Sequence, residues 1–223
     1  MRRFAAPSLP GLGQRVRLDA DVSHHLLHVT LVPRGHRVLL YSSGQELEAE
    51  LVDVLDGQAV LEARSEARPI QRGRRLVLIA GLPRKPAWER TLRMGTELGV
   101  TEFRTFVARH SVAKGDKLER WSRICGEAAR QCGRGDLPGV AAPRSLRELL
   151  EGLPDRRLLL HPGAAALAPE AGDLALLIGP EGGLHEDEVE LALANGFQAA
   201  GLGPWVLRSD TAAVAALARY ALG

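Results

Sequence analysis

Short apolar segments interleaved with polar positions dominate the first third of the chain. Arg15–Leu18, His36–Tyr41, Glu46–Leu55 and Ala59–Ala63 each read as a strand. Pro33-Arg34-Gly35, Ser42-Ser43-Gly44 and Asp56-Gly57 are turn signals between them. A short helix fits Val22–His28. Regular short strands joined by tight turns predict a small β-barrel over residues 1–70. Arg64–Arg75 is polar, lacks a period and reads as a linker.

From residue 71 to 223 the pattern changes. Unbroken apolar runs appear at Leu76–Ala80, Phe103–Ala108, Leu158–Leu160, Leu174–Ile178 and Ala199–Leu202, with helical patterns between them. Strands that alternate with helices and lack a polar face predict an α/β domain, its parallel sheet covered on both sides. The helices carry end signals. Pro86 suits the first turn of a helix running to Leu98, with Gly99 just past it. Ser145-Leu146-Arg147-Glu148 is a capping box. Glu186, Asp187 and Glu188 crowd another first turn, where the helix dipole favours negative charge, and Gly196 follows that helix's last residue, Asn195.

Lys117–Arg134 predicts an amphipathic helix. Leu118, Trp121, Cys125, Ala128 and Cys132 fall at 3-4-3-4 spacing on one apolar stripe, which is expected to bury both thiols without a disulfide. Arg120, Arg123, Arg130 and Arg134 lie on a second stripe, interrupted by Glu127. Such a face is either solvated or in contact with phosphates. Net charge is only +2, but 26 of the 29 basic residues are arginine, whose planar fork suits phosphate and bases. Arginine-rich coding would give the same count. No apolar run approaches the roughly 18 residues of a membrane span. The N-terminus lacks the apolar core of a secretory signal, so a cytoplasmic protein is expected. No Cys/His spacing suggests a metal site.

Two glycine loops carry the candidate chemistry. Gly179-Pro180-Glu181-Gly182-Gly183 follows the strand Leu174–Ile178 and precedes the acidic helix start. Ligands bind at the carboxyl ends of strands in open α/β sheets, where glycines allow close backbone approach. Gly201-Leu202-Gly203-Pro204-Trp205-Val206 begins like a dinucleotide fingerprint. However, it has Val206 in place of the third glycine and follows the last strand. No glycine loop continues into Gly-Lys-Ser/Thr, so a P-loop is excluded. Arg208, Ser209 and Asp210 then open an alanine-rich helix that Ser209 or Asp210 would cap.

In this order, Gly179-Pro180-Glu181-Gly182-Gly183, Gly196-Phe197, Leu202-Gly203, Leu207-Arg208 and Thr211-Ala212 resemble the C-terminal signature of the RsmE family of SPOUT methyltransferases. Thr96-Glu97-Leu98-Gly99-Val100, Arg109-His110-Ser111, Arg120-Trp121 and Glu127–Arg134 followed by Pro138 match upstream. His24-His25-Leu26 and Arg34-Gly35 match in the first domain. The chain departs at Met94, where lysine is common, at Leu184-His185, where Phe and a hydroxyl residue are common, and at Asp210, where Glu is common.

The resemblance implies a SPOUT-type, trefoil-knotted α/β domain (71–223) behind a PUA-like, RNA-binding β-barrel (1–70), working as a homodimer. It implies S-adenosylmethionine-dependent methylation of N3 of a uridine in 16S rRNA of the small ribosomal subunit. The cofactor is expected at Leu160, His161, Ile178, Gly179, Pro180, Gly183, Leu202, Gly203, Leu207 and Ser209. Arg208, Glu181 and Asp210 are the expected catalytic residues: Arg208 to stabilise charge on the base, either carboxylate to take a proton. Arg34, Arg109, Arg120, Arg123, Arg130 and Arg134 are expected to meet RNA. No metal and no membrane are expected. The alternatives are a SPOUT enzyme with another nucleotide target and a non-catalytic RNA-binding protein. A Rossmann-type methyltransferase would need a glycine motif after the first strand, which Gly81-Leu82-Pro83-Arg84 does not supply.

Overall fold

The structure is a computed structural model that describes residues 1–42, 44–70, 73–110 and 117–221. Ser43 of the second turn, residues 71–72 of the expected linker, Ser111 and Lys114 lie outside the described residues. The chain divides into two compact units, Met1–Arg72 with Ala129–Leu137, and Gly73–Ala128 with Pro138–Gly223. A reading of consecutive boundaries has no means of finding the excursion at 129–137, which joins the first unit.

The first unit holds β1 (Arg3–Ala5), β2 (Arg15–Arg17), α1 (Ala20–His24), a π-helical turn (His25–Val29), β3 (Arg37–Ser42), β4 (Gln45–Leu55), β5 (Gln58–Ala63) and β6 (Arg68–Pro69). The sheet runs β1-β3-β4-β5-β2, with β6 also on β4. Among the described residues no pair joins β1 to β2. The β4–β5 hairpin turns at Asp56 and Gly57, both at positive φ (49° and 77°), the conformation a two-residue hairpin loop of this kind requires. Alternation works as the sequence implies: Val38 and Leu40, Leu47, Ala49 and Leu51, and Ala59, Leu61 and Ala63 meet in one core with Phe4, Leu18 and Leu26. The expected linker is partly structured, because Arg68–Pro69 pairs with Gln45–Glu46. Strands of two or three residues, β6 and β1 among them, are too short to show a period.

The second unit holds β7 (Leu76–Gly81), α2 (Lys85–Glu97), β8 (Glu102–Phe106), the start of α3 (Leu118–Cys132), β9 (Gly139–Val140), α4 (Leu146–Leu149), β10 (Arg157–Leu160), β11 (Leu174–Ile178), α5 (Glu186–Ala194), β12 (Gln198–Ala200) and α6 (Ser209–Ala221). Its sheet is wholly parallel, in the order β12-β10-β11-β7-β8-β9. Alternate residues of the apolar strands serve opposite faces. Leu76, Leu78, Leu174, Leu176 and Ile178 pack against Trp88, Trp121, Cys125, Leu217 and Tyr220 of α2, α3 and α6. Val77, Ile79, Ala175 and Leu177 pack against Leu146, Leu149 and Ala192 of α4 and α5. Two-sided burial explains the absence of polar positions in these strands. Among the described residues no helix is long and apolar enough to cross a membrane.

Helix ends behave as their chemistry dictates. Ser145 and Glu148 form the expected capping box on α4. At α5 the cap is His185, whose Nδ1 accepts from the Asp187 N–H at 3.3 Å, while Glu188 accepts from the His185 N–H at 2.8 Å. An imidazole thus does a hydroxyl's work. One expectation is corrected: Cys125 is buried but Cys132 is exposed; neither is in a disulfide. The apolar stripe stops at Ala128 and Ala129 because α3 ends at Cys132, where Gly133 (φ 74°) breaks it.

Leu176, on a strand covered from both sides and fully buried, should be costly to truncate. Leu176→Ala should lose about 2–5 kcal/mol in urea denaturation. Leu193→Ala, on the exposed side of α5, should stay within about 0.5 kcal/mol of the parent.

Candidate active site

The carboxyl ends of β10, β11 and β12 open into one pocket of about 330 Å³ in the second unit. It is lined by Leu160, His161 and Pro162 after β10, and by Ile178, Gly179, Pro180, Glu181 and Gly183 after β11. Ala200, Leu202, Gly203, Trp205, Val206, Leu207, Arg208, Ser209 and Ala212 complete it. The volume falls within the usual range for small-molecule sites.

The loops meet because their backbones approach closely. The Gly201 N–H donates to the Ala165 carbonyl at 2.9 Å, and a Cβ at Gly201 would run into the Ala164 carbonyl. The Tyr220 hydroxyl, fully buried on α6, donates to the Gly201 carbonyl at 2.8 Å and accepts from the Leu167 N–H at 3.4 Å. The loops after β10 and β12 are therefore clamped by the last helix. Gly203 is needed for another reason: its φ is 122°, but a Cβ there would meet open space. A side chain at Gly203 would strain the backbone without crowding it.

All ten residues expected to hold a cofactor line this pocket, as do Arg208 and Glu181. Asp210 does not. It is 7% exposed and paired with Arg90 of α2 at 2.7 Å. Burial pushes its carboxyl up, but hydrogen bonds from Arg90 and from the Thr211 N–H outweigh this and hold it below the ordinary aspartate value. Asp210, expected as a proton acceptor, is engaged by Arg90 and ties α6 to α2 instead of lining the pocket. Nor do Ser209 and Asp210 precede the helix as caps, because the Arg208 carbonyl already accepts from the Ala212 N–H at 2.7 Å.

Glu181 is exposed, and its Oε1 accepts from the Arg84 N–H at 3.0 Å. Arg208 is exposed, and among the described residues its guanidinium has no carboxylate partner. The Ser209 hydroxyl is buried without a hydrogen-bond partner among the described residues, and Ser209 lines the pocket. An orphaned buried hydroxyl costs free energy unless a ligand satisfies it. Sequence reasoning missed Pro162, Ala200, Trp205, Val206 and Ala212. Trp205 and Val206 belong to the second glycine loop, where Val206 stands in place of a fingerprint's third glycine.

Residues 71–221 match the family model of the RNA methyltransferase domain. The chain is 34% identical to the ribosomal RNA small subunit methyltransferase E of Synechocystis, over 92% of this chain and 72% of that one. It is 31% identical to the protein of the same name from Bacillus subtilis, over 90% and 87% respectively. The chain belongs to the ribosomal RNA small subunit methyltransferase E family. A solved structure of the family, from Neisseria gonorrhoeae bound to S-adenosyl methionine, is similar with a TM-score of 0.75 and 29% identity, covering 98% of this chain and 95% of that one. A methyltransferase from Legionella pneumophila, solved with the same cofactor, gives 0.71 and 28%, over 97% and 95%.

Most of the arginines expected to meet RNA face carboxylates of the protein itself. Arg34 faces Asp53 at 3.6 Å, and Arg109 pairs with Asp187 at 3.0 Å. Arg120 is bidentate to Glu89 of α2 at 2.6 and 2.8 Å, and Arg123 lies 3.9 Å from Glu127. Arg134 lies beyond α3, is mostly buried and is held by Asp136 at 2.7 Å. Arg130 is exposed and has no ion-pair partner among the described residues. The stripe is thus not a uniform cationic face.

If Asp210 is a tether, Asp210→Asn should lower the melting temperature at neutral pH by about 2–4 °C for each kcal/mol lost. A depressed carboxyl contributes its stability above the unfolded value of 3.8 and loses it as pH falls through the lower folded value. The gap between parent and variant should therefore close in acid. A gap that widened as pH fell would contradict the tether.

Proposed function

We propose that the protein transfers the methyl group of S-adenosylmethionine to N3 of a uridine in 16S rRNA of the small ribosomal subunit. Family membership supports the reaction class. The observation that carries the assignment to this site is an arginine, Arg208, without a carboxylate partner among the described residues, on the rim of a pocket built from strand-end glycine loops.

The pocket suits the cofactor. Apolar Leu160, Ile178, Leu202 and Leu207 would enclose its purine, the loop backbones would bind its polar edges, and the Ser209 hydroxyl would gain a partner. S-adenosylmethionine supplies an activated methyl group on a sulfonium. Uracil N3 is a poor nucleophile until its proton leaves, and the charge then spreads onto the flanking carbonyl oxygens. Arg208 donates to those oxygens as the charge develops, from a position fixed at the start of α6. Glu181 takes the N3 proton, directly or through water: its Oε1 is oriented by the Arg84 N–H, which leaves Oε2 to act. N3 lies on the pairing edge, so the uridine must enter unpaired.

The finer architecture is proposed in the same terms. The first unit acts as a PUA-like RNA-binding barrel. The second is a SPOUT domain with a trefoil knot, a reading supported by the lie of Gly201 on the Ala164–Ala165 backbone and by the return of α6 to β11 and α2. The enzyme works as a homodimer in the cytoplasm, where its substrate is assembled.

Arg208→Ala should lower the single-turnover methylation rate of small subunits about 100-fold or more, with little change in cofactor affinity. Lysine should rescue poorly. A variant that melts early yet methylates at the parental rate would make Arg208 structural.

Arg130→Ala should weaken RNA binding regardless of sequence and reduce the salt slope by about one. Arg120→Ala is a poorer test, since it also strips Glu89 of its partner. Parental affinity and slope for the Arg130 variant would mark a solvated face.

A further inference from the structure

Two of the three tryptophans are core residues: Trp88 and Trp121 are 1% and 5% exposed and stand edge to face, with centroids 5.9 Å apart. Trp205 is 81% exposed and Val206 82%. Both line the pocket, and Trp205 stands three residues before Arg208 in the loop that Gly203 turns at φ 122°. An indole this large is normally buried, or covered by something that stacks on it.

We propose that Trp205 is the stacking platform for an unpaired RNA base at the mouth of the pocket, holding the target uracil, or the base beside it, next to Arg208. This rests on the function proposed above. That reaction requires a base removed from its own stack, because N3 must be open, and the lost stacking has to be replaced by the protein. An indole face stacks on any base, and Arg208, three residues on and lining the same pocket, supplies positive charge toward the adjoining phosphate or carbonyl. Arg84, exposed just before α2, is tied by its backbone N–H to Glu181, which lines the same pocket. An exposed aromatic in one pocket with an arginine fits single-stranded nucleic acid better than a protein partner. Nor do two apolar side chains approach the roughly 800 Å² per partner of a stable protein interface. The pocket's interior already has Leu160, Ile178, Leu202 and Leu207 for the cofactor, and Trp205 stands outside them in solvent. Its role is therefore positioning substrate.

The test uses the full chain with Trp205→Ala and Trp205→Phe. With small ribosomal subunits, Trp205→Ala should raise KM for RNA about 5- to 100-fold, the range for losing one stacked base. Phenylalanine should recover most of this, and S-adenosylmethionine affinity by calorimetry should not move. Single-stranded oligouridylate should quench the intrinsic fluorescence of the parent but not of Trp205→Phe, since the remaining indoles are buried. A parental KM in the alanine variant of an active enzyme overturns the platform and leaves the proposed function standing. A drop in cofactor affinity would make Trp205 part of the cofactor site. A changed sedimentation coefficient would make it a subunit contact. Either result overturns the inference. If the parent methylates no uridine, the proposed function fails, and the quenching titration alone decides the platform: no quenching overturns it.

Discussion

At Gly201 the chain leaving β12 lies directly on the loop that follows β10, with no room between the backbones for even one methyl group. Both segments arrive from neighbouring parallel strands, so their positions are set by the sheet. Because the loops touch, the rest of the pocket has a rigid back: Ala200 and Leu202 on one side, Leu160 and His161 on the other. The Tyr220 hydroxyl locks the arrangement from α6, hydrogen-bonding at once to the Gly201 carbonyl and the Leu167 amide. The same principle recurs at β7, where a Cβ on Gly81 would sit 2.6 Å from the Pro180 ring. Close contacts of this kind bring the strand ends together around the pocket.

Electrostatics then sorts the charged residues near the site. Asp210 is bound to Arg90 and does not line the pocket, while two residues earlier Arg208 meets no carboxylate among the described residues. A residue whose charge is already neutralised has little left for a reaction, and one that is free can respond to charge as it develops. Glu181 falls between these cases: one oxygen is held by a backbone N–H at 3.0 Å, and the carboxylate as a whole is exposed. The division of labour among three residues close to one another follows from which of them has found a partner.

The same sorting tempers the arginine content. Many arginines form ion pairs within the protein: Arg15 with Glu62, Arg64 with Glu50, Arg75 with Glu102, and Arg120 with Glu89. In Arg120 a motif residue spends its fork holding α3 to α2. Composition cannot separate that use from phosphate contact, because a guanidinium suits both. Only the position of the carboxylates distinguishes them.

The sequence by itself determined the elements and the place of the chemistry. Unbroken apolar runs required a sheet buried on both faces, Asp56-Gly57 required a tight hairpin, and Ser145 with Glu148 required a helix start. The resemblance named ten residues for a cofactor, and all ten line the pocket. These features are local, and the backbone conformation of a few residues carries each of them. Tertiary structure alone decided the rest. It turned Asp210 toward Arg90, left Cys132 in solvent, grouped residues 129–137 with the first unit, and stood Trp205 open at the pocket's mouth. Each of these outcomes depends on which side chain from a distant segment arrives nearby. Ion pairing and burial are properties of such pairs, and no single stretch of sequence carries them.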